Sequence, residues 1–141
     1  MRAASLVFQK LMIHGPLAVA GISRGVEPMV FHVLLFQPRA DLADADRQAL
    51  VSSFETALGA IPSIRRCHVG RRIRHGAGYE ALAGETFDYA AVLEFDDLAG
   101  LQAYLDHPAH GDLASRFMPS LERSRIFDYV MLEGARASDL E

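Results

Sequence analysis

The chain reads as an α+β domain in which strands and helical segments follow the order β-α-β-β-α-β. Three observations carry that reading. Val30-Phe31-His32-Val33-Leu34-Leu35-Phe36 is apolar on both parities, as a strand buried on both faces is. Leu50, Phe54, Leu58 and Ile61 recur at spacings of four and three, the period of a helix with one buried stripe. From Phe87 to Phe95 the period drops to two, which marks a strand.

Each element has its own boundaries. Pro38 ends the first strand, because proline has no amide to give a ladder. Asp41 or Asp44 is placed to cap the first helix, and Gly59 and Pro62 close it. Ile64 to Arg72 forms the second strand, with Cys67 and Val69 on one parity and His68 on the other. Residues 74–86 form a loop punctuated by Gly76, Gly78 and Gly84. In the third strand Phe87, Tyr89, Ala91, Leu93 and Phe95 alternate with Asp88, Ala90, Val92 and Glu94. Asp96 or Asp97 caps a second helical segment that carries Leu98, Leu101 and Leu105. Pro108 disfavours helical geometry at His107 and suits the first turn of a new short helix. That helix sets His110, Leu113, Ala114 and Phe117 on one face, and Pro119 ends it. Ser124 to Leu132 is the last strand, with Phe127, Tyr129 and Met131 opposite Ile126, Val130 and Leu132.

This order is the ferredoxin-like split unit, with an antiparallel sheet and both helical segments on one face. The other face is also apolar and needs a cover. A second copy of the same sheet supplies the simplest one, giving a two-fold homodimer closed into a dimeric α+β barrel.

Composition excludes several classes. At 141 residues, half hydrophobic and 23% charged, the chain is globular and holds one domain. A net charge of −4 gives no reason to expect nucleic acid as a partner. Arg65, Arg66, Arg71, Arg72 and Arg74 read as a solvated face rather than an anion site. The single Cys67 rules out an intramolecular disulfide and reads as a small buried apolar residue.

Residues 1–28 read as an accessory arm, an upstream extension of a domain that runs from 29 to 133, with residues 134–141 as a tail. Met29 stands immediately before the first strand and offers an alternative start. The arm's apolar pieces are split by Gln9-Lys10 and His14-Gly15-Pro16, and none approaches the ~18 residues that span a bilayer. Ala18-Val19-Ala20 has the form of a cleavage triplet, but Gly15-Pro16 breaks the apolar run before it. A cytoplasmic protein with no membrane partner is the resulting expectation.

The chemistry concentrates in Tyr104-Leu105-Asp106-His107-Pro108-Ala109-His110, a phenol and two imidazoles around a proline bend. His110 shares a face with Leu113 and Phe117 and should point inward; Tyr104 lies on the flank of the core stripe. Together they could anchor a carbonyl and move a proton, a task that suits imidazole. A structural tyrosine beside a capped histidine is the competing reading. His32 shares a parity with Val30, Leu34 and Phe36. If Phe31, Val33 and Leu35 pack on the helices, His32 points into the sheet–sheet interior, as a pocket residue or as a core histidine satisfied by a neighbour. His107 reads as structural, bonding the last carbonyls of its helix. No acidic or cysteine partner stands at ligand spacing from His107 and His110, so no metal and no other cofactor is expected. His75 and Tyr79 could line a mouth in the loop, and Tyr89 an interior wall.

These residues also carry a resemblance. Phe31 to Phe36, Ile61-Pro62, His68-Val69-Gly70, Leu93-Glu94-Phe95, Ala103 to His110 and Phe127-Asp128-Tyr129 are similar to motifs of the stress-responsive dimeric α/β-barrel (Dabb) family. The resemblance covers residues 29–133 and implies the fold above, paired as a homodimer. The motifs also resemble those of a plant member, olivetolic acid cyclase, which closes a poly-β-keto chain by aldol condensation without a cofactor. That likeness implies Tyr104 as carbonyl anchor, His110 as general acid or base and His32 as pocket wall. Tyr89 stands where that cyclase has a further pocket histidine. His32, Phe36, Tyr79, Tyr89 and Phe117 form the expected binding set for a small apolar, carbonyl-bearing molecule. The implied function is a cofactor-free cyclase or lyase-type enzyme. A non-catalytic stress-response or ligand-binding barrel and a cofactor-independent monooxygenase are its alternatives.

Overall fold

The computed structural model describes residues 28–132; the expectations for residues 1–27 and 133–141 fall outside them. The elements are β1 (Val30–Pro38), α1 (Asp44–Ala60), β2 (Arg66–Arg71), β3 (Tyr89–Phe95), α2 (Leu98–Asp106), α3 (Pro108–Phe117) and β4 (Leu121–Val130). Every pairing in the sheet is antiparallel, and the strand order is β2-β3-β1-β4. This is the ferredoxin-like α+β fold that the periodicities indicate. Among the described residues no helix is long and apolar enough to cross a membrane.

The central strand β1 decides which side chains meet. Val30, His32, Leu34 and Phe36 are buried beneath the helices, whereas Phe31, Val33 and Leu35 lie on the opposite face and stay partly exposed. The expectation for His32 is thereby corrected: it faces the helix layer, not a sheet–sheet interior. Both parities of β1 are apolar, so periodicity marks a two-sided strand without telling its two sides apart. The ladder tells them apart. Val33 pairs with Val92 and Phe127, and Phe31 with Tyr129, so this parity builds the open face of the sheet. Phe127 and Tyr129 there remain 46% and 50% exposed, which leaves an apolar surface without cover in one protomer.

The strands depart from expectation by two or three residues at several ends: β2 spans 66–71 rather than 64–72, β3 begins at Tyr89 rather than Phe87, and β4 runs 121–130 rather than 124–132. Two further differences have local reasons. Neither Asp41 nor Asp44 caps α1: the N-cap is Ala43, with no side-chain bond. Asp41 is drawn instead into an ion pair with Arg39 at 2.7 Å, and Asp44 sits in the first turn, where the helix dipole favours a negative charge. The loop after β2 contains a short 3₁₀ turn, Gly78–Leu82, which has no apolar period to announce it. Asp97 does cap α2, accepting the Gly100 amide at 2.7 Å.

Candidate active site

One row of the sheet assembles the floor of the site. Cys67 on β2 pairs with Leu93 on β3, Leu93 with His32 on β1, and His32 with Asp128 on β4. α2 lays Tyr104 over this row. Its ring centroid stands 5.3 Å from that of Phe95 and 5.5 Å from that of His32.

The break between α2 and α3 brings in the second imidazole. Pro108 holds His107 in extended geometry (φ −71°, ψ 136°). From there the His107 Nδ1 accepts the Ala109 amide at 3.1 Å and caps α3. The residue is structural, as expected, but it bonds an amide ahead of it rather than carbonyls behind. An extended residue before a new helix faces that helix's unpaired N–H groups. The bend then turns His110 back onto Tyr104, with the two ring centroids 4.5 Å apart. His110 Nδ1 lies 3.1 Å from the Leu105 carbonyl. A carbonyl only accepts, so Nδ1 carries the proton and the neutral ring keeps its lone pair on Nε2.

Between floor and helices lies a cavity of about 30 Å³, room for roughly two or three water molecules. Leu34, Phe54, Leu93, Leu113, Phe117, Met118 and Ile126 form much of its wall, and His32, Tyr104 and His110 are its polar groups. No lysine, arginine or carboxylate lines it.

That setting fixes the protonation states. Burial first, then the potential of Cys67 and Asp128, pushes the Tyr104 phenol well above its ordinary range. At neutral pH Tyr104 is therefore a hydrogen-bond donor. Burial is also the main cause holding the His110 imidazole below its ordinary 6.5; His32 acts in the same direction, and the Leu105 carbonyl and Asp106 oppose it. His110 is accordingly neutral and basic at pH 7. Burial raises the Cys67 thiol, which fits a packed side chain rather than a nucleophile.

The expected site residues divide into three groups. Tyr104, His110, His32 and Phe117 meet at the cavity. Phe36 and Tyr89 flank it: Phe36 stacks on Tyr89 at 5.6 Å and meets Phe117 edge-on at 5.0 Å, but neither is in the wall. Tyr79 stands apart, 66% exposed, with its hydroxyl 3.0 Å from His75 Nε2. Within one protomer it lines no mouth of this cavity. Asp128 enters the sequence reading only within the Phe127-Asp128-Tyr129 motif, with no role assigned to it. It holds His32 Nδ1 at 2.6 Å, and the signal for that role is a carboxylate on the parity of Ile126 and Val130, meaningful once the β1–β4 register is known. Among the described residues no group of three or more histidine, cysteine or acidic side chains is placed to hold a metal ion.

Comparison with known proteins follows this geometry. A sequence model described as the stress responsive A/B barrel domain matches residues 30–131. No curated protein sequence matches the chain. Among solved structures, the fold is similar to that of a hydroxynitrile lyase from Passiflora edulis, with a TM-score of 0.65 and 15% identity over 77% of this chain and 98% of that one. A Dabb family protein with a ferredoxin-like fold from Mesorhizobium loti gives a TM-score of 0.59 and 22% identity over 75% of this chain and 99% of that one. A dimeric ferredoxin-like protein of unknown function from Bacteroides fragilis gives a TM-score of 0.53 and 27% identity over 76% of this chain and 100% of that one.

Proposed function

The chain belongs to the stress-responsive A/B barrel (Dabb) family, and from that premise we propose that it is an acid–base enzyme acting on a small neutral carbonyl compound. The observation that carries the reading is the pairing of a protonated phenol with a neutral imidazole, ring centroids 4.5 Å apart, on one apolar cavity. In this reading Tyr104 donates a hydrogen bond to the substrate oxygen, and His110 Nε2 takes or returns the proton. For a 2-hydroxynitrile, His110 accepts the hydroxyl proton, the oxygen electron pair forms the carbonyl, and the bond to the nitrile carbon breaks. Cyanide leaves with that bond's electrons and is then protonated. Tyr104 steadies charge on the oxygen throughout; one such donor is worth roughly 10²–10³ in rate.

The hydroxynitrile lyase of the same fold offers a precedent for this chemistry on the scaffold. Cavity size also bears on the substrate. About 30 Å³ suits a handful of non-hydrogen atoms; a long poly-β-keto chain, as the cyclase-like reading requires, needs a larger cavity than this. The same family membership supports a homodimer. Phe31, Val33, Leu35, Phe127 and Tyr129 form the face that a second sheet would cover, and dimers occur among proteins of this fold.

One observation favours a second reading, a non-catalytic ligand-binding barrel: both buried histidines already bond protein atoms through Nδ1. Acetone cyanohydrin separates the two, being small, neutral and cleavable. The wild type should release cyanide above the uncatalysed rate, and His110→Ala should abolish the excess. Wild type and variant indistinguishable from buffer would overturn the lyase-type reading.

A further inference from the structure

We propose that Asp128 is a positioning residue of this site: its carboxylate fixes His32 in the tautomer protonated on Nδ1, presenting Nε2 as a second proton acceptor beside Tyr104. The chemical role rests on reading the cavity as an active site; the tautomer does not.

His32 and Asp128 face each other as direct cross-strand partners, and Nδ1 meets the carboxylate oxygen at 2.6 Å. An ionised carboxylate only accepts, so Nδ1 must donate, which leaves Nε2 as the remaining nitrogen of a neutral ring. The His32 side chain is 2% exposed and lines the cavity, while Asp128, on the edge strand β4, is 35% exposed. The acid thus stays in touch with water while the ring it holds does not.

Stability alone gives no account of the pair. A leucine at position 32 would continue the stripe of Val30, Leu34 and Phe36, and replacing a hydrogen-bonded polar pair by packed apolar side chains is commonly neutral or stabilising. What the pair adds is orientation. With His32, the phenol of Tyr104 has an imidazole on either flank, at 5.5 Å and 4.5 Å between ring centroids. An imidazole that takes the substrate's proton on its Nε2 can then return that same proton to the departing fragment. A carboxylate behind His32 compensates the charge that the ring acquires in passing, as in an Asp-His couple of a hydrolase.

The test is ring NMR of the full-length protein with ¹⁵N-labelled histidine, comparing wild type, Asp128→Ala and Asp128→Asn at neutral pH. The wild type should show His32 protonated on Nδ1, with a far-downfield Nδ1 proton coupled to it. Asp128→Ala should lose that resonance and give mixed tautomers, while His110 keeps its Nδ1–H pattern. Asp128→Asn keeps the shape and an acceptor oxygen, and should retain the resonance but move it upfield. A wild-type His32 protonated on Nε2 instead, or a wild-type pattern unchanged in either variant, overturns the assignment. If Asp128→Ala does not fold, Asp128→Asn decides alone by the same criterion. Acetone cyanohydrin turnover provides the chemical readout: Asp128→Ala should lower kcat at least tenfold with KM near wild type. A wild type that turns over no cyanohydrin defeats the enzyme reading and leaves the tautomer result standing on its own.

Discussion

Tyr104→Phe removes one oxygen from the middle of the site and nothing else. The phenol is 3% exposed and packs against Phe95, His32 and His110. Phenylalanine keeps all three ring contacts, so stability at neutral pH should change by no more than about 1 kcal/mol. Tyr104→Ala, which also empties the ring's volume, should cost ~3–5 kcal/mol. The hydroxyl's larger effect appears in alkali. Burial holds the folded phenol above the ordinary value of 10.0, so its contribution to stability is complete below pH 10 and is lost as pH rises towards the folded value. Over that span the wild type should lose stability relative to Tyr104→Phe by up to about 1.4 kcal/mol per pH unit. Urea unfolding of both proteins from pH 8 to 11 measures the difference directly, because other titrating groups are common to the pair. In the same variant, loss of the carbonyl donor should lower turnover of acetone cyanohydrin by ~10²–10³. Parallel stability curves across that range would refute the burial argument, and undiminished turnover would refute the role assigned to the hydroxyl.

His110 gives the acid counterpart. Its folded value lies below the unfolded 6.5, so its contribution is present above pH 6.5 and lost as pH falls through the folded value. His110→Gln should therefore flatten the decline in stability between pH 7 and pH 5, read by denaturant titration. The acid limb of wild-type kcat/KM should likewise fall below pH 6.5. Val33→Glu puts a charge in the middle of the open sheet face, between Val92 and Phe127; sedimentation should show a folded protomer in place of a dimer, and an intact dimer would exclude that face as the interface. Asp97→Ala removes the cap on the Gly100 amide and should cost about 1 kcal/mol in thermal or urea unfolding.

The legibility of this chain in its sequence follows the physics of each signal. The helix stripe through Phe54 and the alternation into Phe95 announce their elements because burial repeats with the local period. The two sides of β1 do not announce themselves, because Phe31, Val33 and Leu35 are as apolar as Val30, Leu34 and Phe36; only pairing with β3 and β4 assigns them. The pairing of Asp128 with His32 is invisible for the same reason, since it lies in a register across 96 residues of chain. Tyr104 and His110 are a subtler case. In an unbroken helix, residues six apart sit about 120° apart around the axis. The proline break at 108 is what folds one ring onto the other, so the motif that looks like an interruption is what makes the site. Tyr79 stands apart from the cavity within one protomer, and a glycine-rich loop carries an aromatic without saying which surface it joins.

The most direct test of a shared ligand site is a titration of the labelled protein with acetone, following ring and amide resonances in wild type and Tyr104→Phe. The account predicts shifts centred on His32, Tyr104 and His110, saturating in the wild type and at least tenfold weaker in the variant. Shifts elsewhere on the surface, or none at these three residues, would contradict it and leave the two histidines as parts of the framework.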